Sequence, residues 1–246
     1  MHPNIRLDCE EWEIPMMCGI RQALCAAGAV LFCWTMAGAD DAVPAGKSTW
    51  RDSYLARVEA LALLQTLNAE LLSHDSATLT LEHWCDVHRL ASPPRVIAER
   101  VRGMDKPPSA EQRRELGVTP TEPVRYRRVR LLCGTVVLSE ADNWYVPGRL
   151  TAEMNTLLDT TDMPFGKVVQ TLHFQRRTLS STLLWLPLPE GWETNSTSKG
   201  DATTKLQIPA RVLQHRAVLT LPDGTPFSEV VETYTDNVLA FPEPTP

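Results

Sequence analysis

The 246-residue chain carries none of the short signatures of hydrolase or nucleotide chemistry. It has no GxSxG nucleophile turn, no P-loop, and no GxGxxG between a strand and a helix, which excludes the serine-triad and phosphate-cradle readings. Its six histidines are scattered, and His83 with His88 is not an HExxH pair. No cysteine spacing suits a metal, so neither metal nor cofactor is expected. Positive charge is in deficit: 24 lysines and arginines face 30 acidic residues, for a net charge of -6 and a pI near 5.5. That excludes broad nucleic-acid binding and leaves room only for local basic spots that hold small anions. No internal repeat occurs, and the apolar run from Ala23 to Met36 is short for a bilayer span.

That run reads instead as part of an export signal. Arg21 precedes it, and Ala37-Gly38-Ala39 comes after it with the small residues a signal peptidase requires. The expectation is an exported chain, periplasmic or secreted, that loses residues 1–39 and inserts stably in no membrane. A retained anchor is the alternative; a lipoprotein is disfavoured because Phe32, not a small residue, precedes Cys33. The opening "MHPNIRLDCEEWEIP" is acidic, unlike an export signal, which places the true start at Met16 or Met17. Cleavage would leave only Cys85 and Cys133, either as one disulfide or as two buried thiols.

Past the leader, the chain reads as one domain over 47–241, with a flexible loop near 190–206 and a tail at 242–246. Residues 47–73 have helical spacing, with Leu55, Val58, Leu61, Leu64, Leu67 and Leu71 on one face. A second helix is expected from a Thr80 cap, then a strand through Val96 and Ala98. A polar connector with a short helix leads to strands over 124–133, 136–146, 169–177, 180–186, 211–221 and 227–235. Thr151 caps a helix between the second and third of these. "LPDGTP" at 221–226 marks a hairpin, since Asp-Gly supplies positive φ. The fold class is α+β: a single, mostly antiparallel sheet with helices covering one side.

"VRYRRVRLLC" at 124–133 puts Arg125, Arg127, Arg128 and Arg130 into a strand, either as a solvated edge or with one guanidinium facing a pocket. Taken with "LEHWC", "NWYVP", "DMPFGKVV" and "GTPFSEVVETY", it resembles the chorismate lyase (chorismate–pyruvate lyase) family over roughly residues 65–236. The resemblance implies an antiparallel sheet with helices over a buried ligand, and elimination of pyruvate from chorismate to leave 4-hydroxybenzoate. It places the ligand-binding arginine at Arg128 and a pocket glutamate at Glu232, or at Glu229 if the gap is set differently. Arg128 and Glu232 are the two candidate catalytic residues. The resemblance adds Phe165, through its backbone, with Gly166, and Cys85 in the second helix. A guanidinium offers a planar fork for a carboxylate.

Two departures leave activity open. The family has an arginine ahead of "VVP", where "ADNWYVP" offers Asn143 or Trp144; Asn143 still donates hydrogen bonds but brings no charge. Export would also separate the chain from cytoplasmic chorismate. GntR-type effector domains share the fold and bind without turnover. The partner expected is therefore a small carboxylate, bound by a monomer that is either a lyase or a non-catalytic sensor; a third reading keeps the fold without the pocket. Arg176 and Arg177 in "FQRRTL" read as a solvated edge or as a second positive group of the pocket.

Overall fold

Ser53 accepts a hydrogen bond from the Ala56 N–H and opens helix α1 (Tyr54–Ser73). The computed structural model describes residues 49–194 and 203–244. The expected leader at 1–39 and the middle of the expected flexible loop lie outside the described residues. Helix α1 buries Ala56, Ala60, Leu64, Leu67 and Leu71, while Leu55 is exposed. Its first turns thus present alanines to the core, not the predicted Leu55 and Leu61. The helix is apolar nearly all round, so spacing alone could not choose the face.

Helix α2 (Ala77–Val87) begins at a Ser76 cap, earlier than the predicted Thr80. Thr80 is buried inside it, its hydroxyl donating to the Ser76 carbonyl. Strand β1 (Val96–Val101) comes next, then the short α3 (Ala110–Glu115), closed by a Ser109–Gln112 capping box. Strands β2 (Arg125–Cys133) and β3 (Val136–Tyr145) form a hairpin. Gly134 sits in its turn at φ +59, where a Cβ would come within 2.8 Å of the Ala91 side chain. Helices α4 (Ala152–Thr160) and α5 (Phe165–Val168) lead to β4 (Gln175–Leu183), and β5 (Arg211–Thr220) and β6 (Pro226–Thr235) close the sheet.

All pairings are antiparallel, in the order β1-β2-β3-β6-β5-β4. The "LPDGTP" hairpin is present, with Gly224 at φ +87. The predicted strands at 169–177 and 180–186 are one strand: the register shifts between Thr178 and Ser180, and residues 165–172 are mostly helical. "RTLS" contains no strong turn former such as glycine, proline or asparagine, so the chain bulges there and does not reverse.

Helices α1 and α2 pack on one face, against Val129, Leu131, Leu213, Val230 and Tyr234. Met154 and Leu158 of α4 join Tyr145 on the same side. On the other face Leu116, at the end of α3, packs with Trp144 and Val146. Cys85 of α2 and Cys133 of β2 are both fully buried and joined by a disulfide, which settles the alternative left open by sequence. No described helix is long and apolar enough to cross a membrane.

Candidate functional site

Side chains on a strand alternate between faces. Val129, Leu131 and Cys133 of β2 point into the core under α2, and Arg127 shares their parity. Across the sheet Arg127 pairs with Asn143, and Asn143 with Val230. One step along, Val129, Ala141 and Glu232 stand abreast. These rows floor a cavity that opens to solvent. Arg176 enters on the same face from β4 at the far edge of the sheet, with β5, β6 and β3 between it and Arg127's strand. Ala77 and Thr78 at the start of α2 roof it together with Phe165 and Gly166 of α5.

Gly166 is where the two helix starts meet. A Cβ there would lie 3.2 Å from the Ser76 Oγ, so a side chain at this position would have to displace that hydroxyl by a few tenths of an ångström. Among the described residues, the N–H groups of Phe165 and Gly166 have no backbone acceptor. The Phe165 ring packs between Tyr145 and Phe227.

The two cavity arginines differ in company. Arg127 is 4% exposed. Its Nη2 donates to the Met163 carbonyl at 3.2 Å, and its Nε is buried without a partner. No carboxylate forms an ion pair with it among the described residues. Burial, with Arg100 adding to it, draws its pKa down to about 10, so it keeps its charge at neutral pH. Arg176 is as deeply buried, but its Nη2 lies 2.5 Å from Glu232 Oε2. Burial alone would lower Arg176; Glu232 holds it above its ordinary value. The Tyr234 hydroxyl also donates to Glu232 Oε2, at 3.2 Å, and burial beside that carboxylate keeps the phenol protonated. Glu232 Oε1 makes no hydrogen bond among the described residues. Asn143 accepts from the Ser228 hydroxyl through Oδ1 at 2.6 Å, which leaves its amide N–H groups for the cavity.

The predicted site residues divide. Phe165, Gly166, Asn143 and Glu232 line one cavity. Arg128 does not: it lies on the opposite face, 3.4 Å from Glu140 and 4.0 Å from Asp142. The pocket arginine is its neighbour Arg127, a shift of one residue that moves a side chain through the sheet. The parity of Val129, Leu131 and Cys133 was the available signal. Cys85 is likewise corrected: it is held in the disulfide and does not line the cavity. Glu229, the alternative to Glu232, is on the far face, 2.7 Å from Arg216. Of the "FQRRTL" pair, Arg176 joins the cavity and Arg177 is exposed beside Glu115.

No family model matches the chain. It is 57% identical over 196 residues to the uncharacterized protein y4mC of Sinorhizobium fredii, which covers 79% of this chain and 83% of that one. Among solved structures, the effector domain of PhnF from Mycobacterium smegmatis aligns at a TM-score of 0.42 and 13% identity, over 66% of this chain and 90% of that domain. The possible transcriptional regulator YydK of Bacillus subtilis aligns at 0.37 and 14%, over 61% of this chain and 62% of that one. Whole PhnF aligns at 0.39 and 12%, over 62% of this chain and 63% of that one. The chain thus spans less than two thirds of the YydK and PhnF chains it matches.

Proposed function

This chain belongs to the y4mC family, and we propose that it binds a small aromatic or cyclic carboxylate in the cavity under α2 and α5. One observation carries the reading: Arg127 is a buried guanidinium with no counter-charge paired to it. Burying an unpaired charge is costly, and a ligand carboxylate would offset that cost by forked hydrogen bonds. The Asn143 amide and the N–H groups at the starts of α2 and α5 would add donors. Glu232 Oε1 would accept from a ring hydroxyl at the other end.

Pyruvate elimination from chorismate is the activity implied by the chorismate lyase resemblance, with Glu232 as the group able to accept or return a proton. A non-catalytic binding role is favoured by the charge balance. Arg176 is neutralised by Glu232, so one uncompensated cation remains, which suits a monocarboxylate better than a dianion. We assign the protein to an exported compartment on the leader pattern, with the disulfide as support. We also take it to be a monomer with no nucleic-acid partner.

Calorimetry with 4-hydroxybenzoate, and then incubation with chorismate, tests this. Saturable binding without pyruvate release supports the binding protein, and release of both products supports the lyase. Failure to bind 4-hydroxybenzoate or any other benzoate would overturn the cavity reading.

A further inference from the structure

Beyond the cavity lies a second, larger hollow, also open to solvent. The two share Asp75, Ser76 and Phe174 as a common wall. Asp75 Oδ1 accepts from the Arg176 backbone N–H at 2.9 Å, which sets that wall at the Arg176–Glu232 end of the cavity. A ligand with its carboxylate on Arg127 would therefore leave the cavity toward this cleft with its opposite end.

The two spaces want different chemistry. Inside, the orphaned groups are donors, the Nε atoms of Arg127 and Arg176; beside the cleft the orphaned group is an acceptor, the shielded Oε2 of Glu70. No lysine or arginine lines the cleft, while Glu70 and Asp75 do, so an anionic group is unwelcome there. Three imidazoles, His74, His83 and His173, surround it. His74 Nδ1 donates to the Glu70 carbonyl at 2.8 Å, which leaves Nε2 as an acceptor in the neutral ring. His173 ends the helical segment before β4 in a left-handed conformation, φ 49 and ψ 43. Phe174 and the 45%-exposed Leu79 supply apolar surface.

We infer that the cleft is a second subsite, and that the protein's ligand is an extended carboxylate whose far end bears a neutral, hydroxyl- or amide-rich group. The inference rests on the proposed carboxylate site in the cavity. Its test compares 4-methoxybenzoate with the 4-O-glucoside of 4-hydroxybenzoate by calorimetry on the whole protein, so that neither compound offers Glu232 a ring hydroxyl. The glucoside should bind the native protein at least about tenfold more tightly. Leu79→Trp, which fills the cleft, and His83→Ala, which removes one imidazole, should each abolish that advantage and leave 4-methoxybenzoate affinity unchanged. Both positions are exposed, so neither change threatens folding. Equal or weaker binding of the glucoside, or an advantage that survives both substitutions, overturns the second subsite and leaves the cavity standing. If neither compound binds the native protein, both readings fall.

Discussion

The two faces of the sheet handle charge in opposite ways. On the far face the buried carboxylates Glu140 and Glu229 both have cations beside them. Glu140 is approached by Arg128, Arg130 and Arg211 at 3.4 to 3.7 Å, and the fully buried Glu229 by Arg216 at 2.7 Å. Asp142 takes Lys106 and the Tyr126 hydroxyl. On the near face Arg176 and Glu232 balance each other, and Arg127 is left over. The sheet pairs several charges on one side and on the other leaves Arg127 without an ion pair, with Asp159 and Asp162 only partly favouring its charge against burial. The far face is built to fold, and on the proposed reading the near face holds a place for an anion.

The largest expected effect comes from unbalancing the balanced near-face pair. Glu232→Ala strands Arg176 in the interior and should cost about 3–5 kcal/mol, read as a shifted urea midpoint. A loss below about 1 kcal/mol would mean that the pair contributes little. Next is the tie between α2 and β2. Cys85→Ala with Cys133→Ala frees a link spanning 48 residues and should cost about 2–4 kcal/mol. Equal stability of the oxidised and doubly substituted proteins would show that packing alone holds the cavity's roof.

A smaller effect depends on pH. His215 is fully buried, its Nε2–H donating to Asn68 Oδ1 at 2.8 Å while Nδ1 has no partner. Burial draws its pKa from 6.5 to about 4, so the native state resists the proton that the unfolded chain accepts. Stability should therefore fall as pH drops from about 6.5 to 4, by at most about 1.4 kcal/mol per unit from this group. His215→Gln should flatten that slope, and an unchanged slope would move the effect elsewhere. Smallest is Arg128→Ala. Glu140 keeps Arg130 and Arg211, so stability should change by about 1 kcal/mol or less, with no change in carboxylate binding. Loss of binding in that variant would reverse the assignment of the two faces.

Much of this contrast was legible in the sequence, and its decisive detail was not. The β5–β6 hairpin announced itself through "LPDGTP", and β2 and β3 through the strand patterns at 124–133 and 136–146. The unbroken β4 did not, because a bulge at Thr178–Ser180 interrupts the pattern without any strong turn former. Motif resemblance pointed to Phe165, Gly166, Asn143, Glu232 and Arg128 alike; the first four line the cavity, and Arg128 lies on the opposite face. Counting back from the cysteine finds the right strand, and a motif match one residue off finds the wrong face. Arg176 could not be told from Arg177 by composition, since only the partners differ: Glu232 within the fold and Glu115 at the surface. The Cys85–Cys133 pairing depends on how α2 lies across β2, which no local pattern encodes.

The claim that Arg127 seats a carboxylate is tested most directly by Arg127→Met, with benzoate binding and thermal stability measured on the same preparation. The predicted result is a ~30-fold or greater loss of 4-hydroxybenzoate affinity. The melting temperature should stay the same or rise, because a lone buried charge is replaced by an apolar side chain of similar length. A variant that binds as before but melts earlier would contradict the claim, and would make Arg127 part of the fold and not the seat of a ligand.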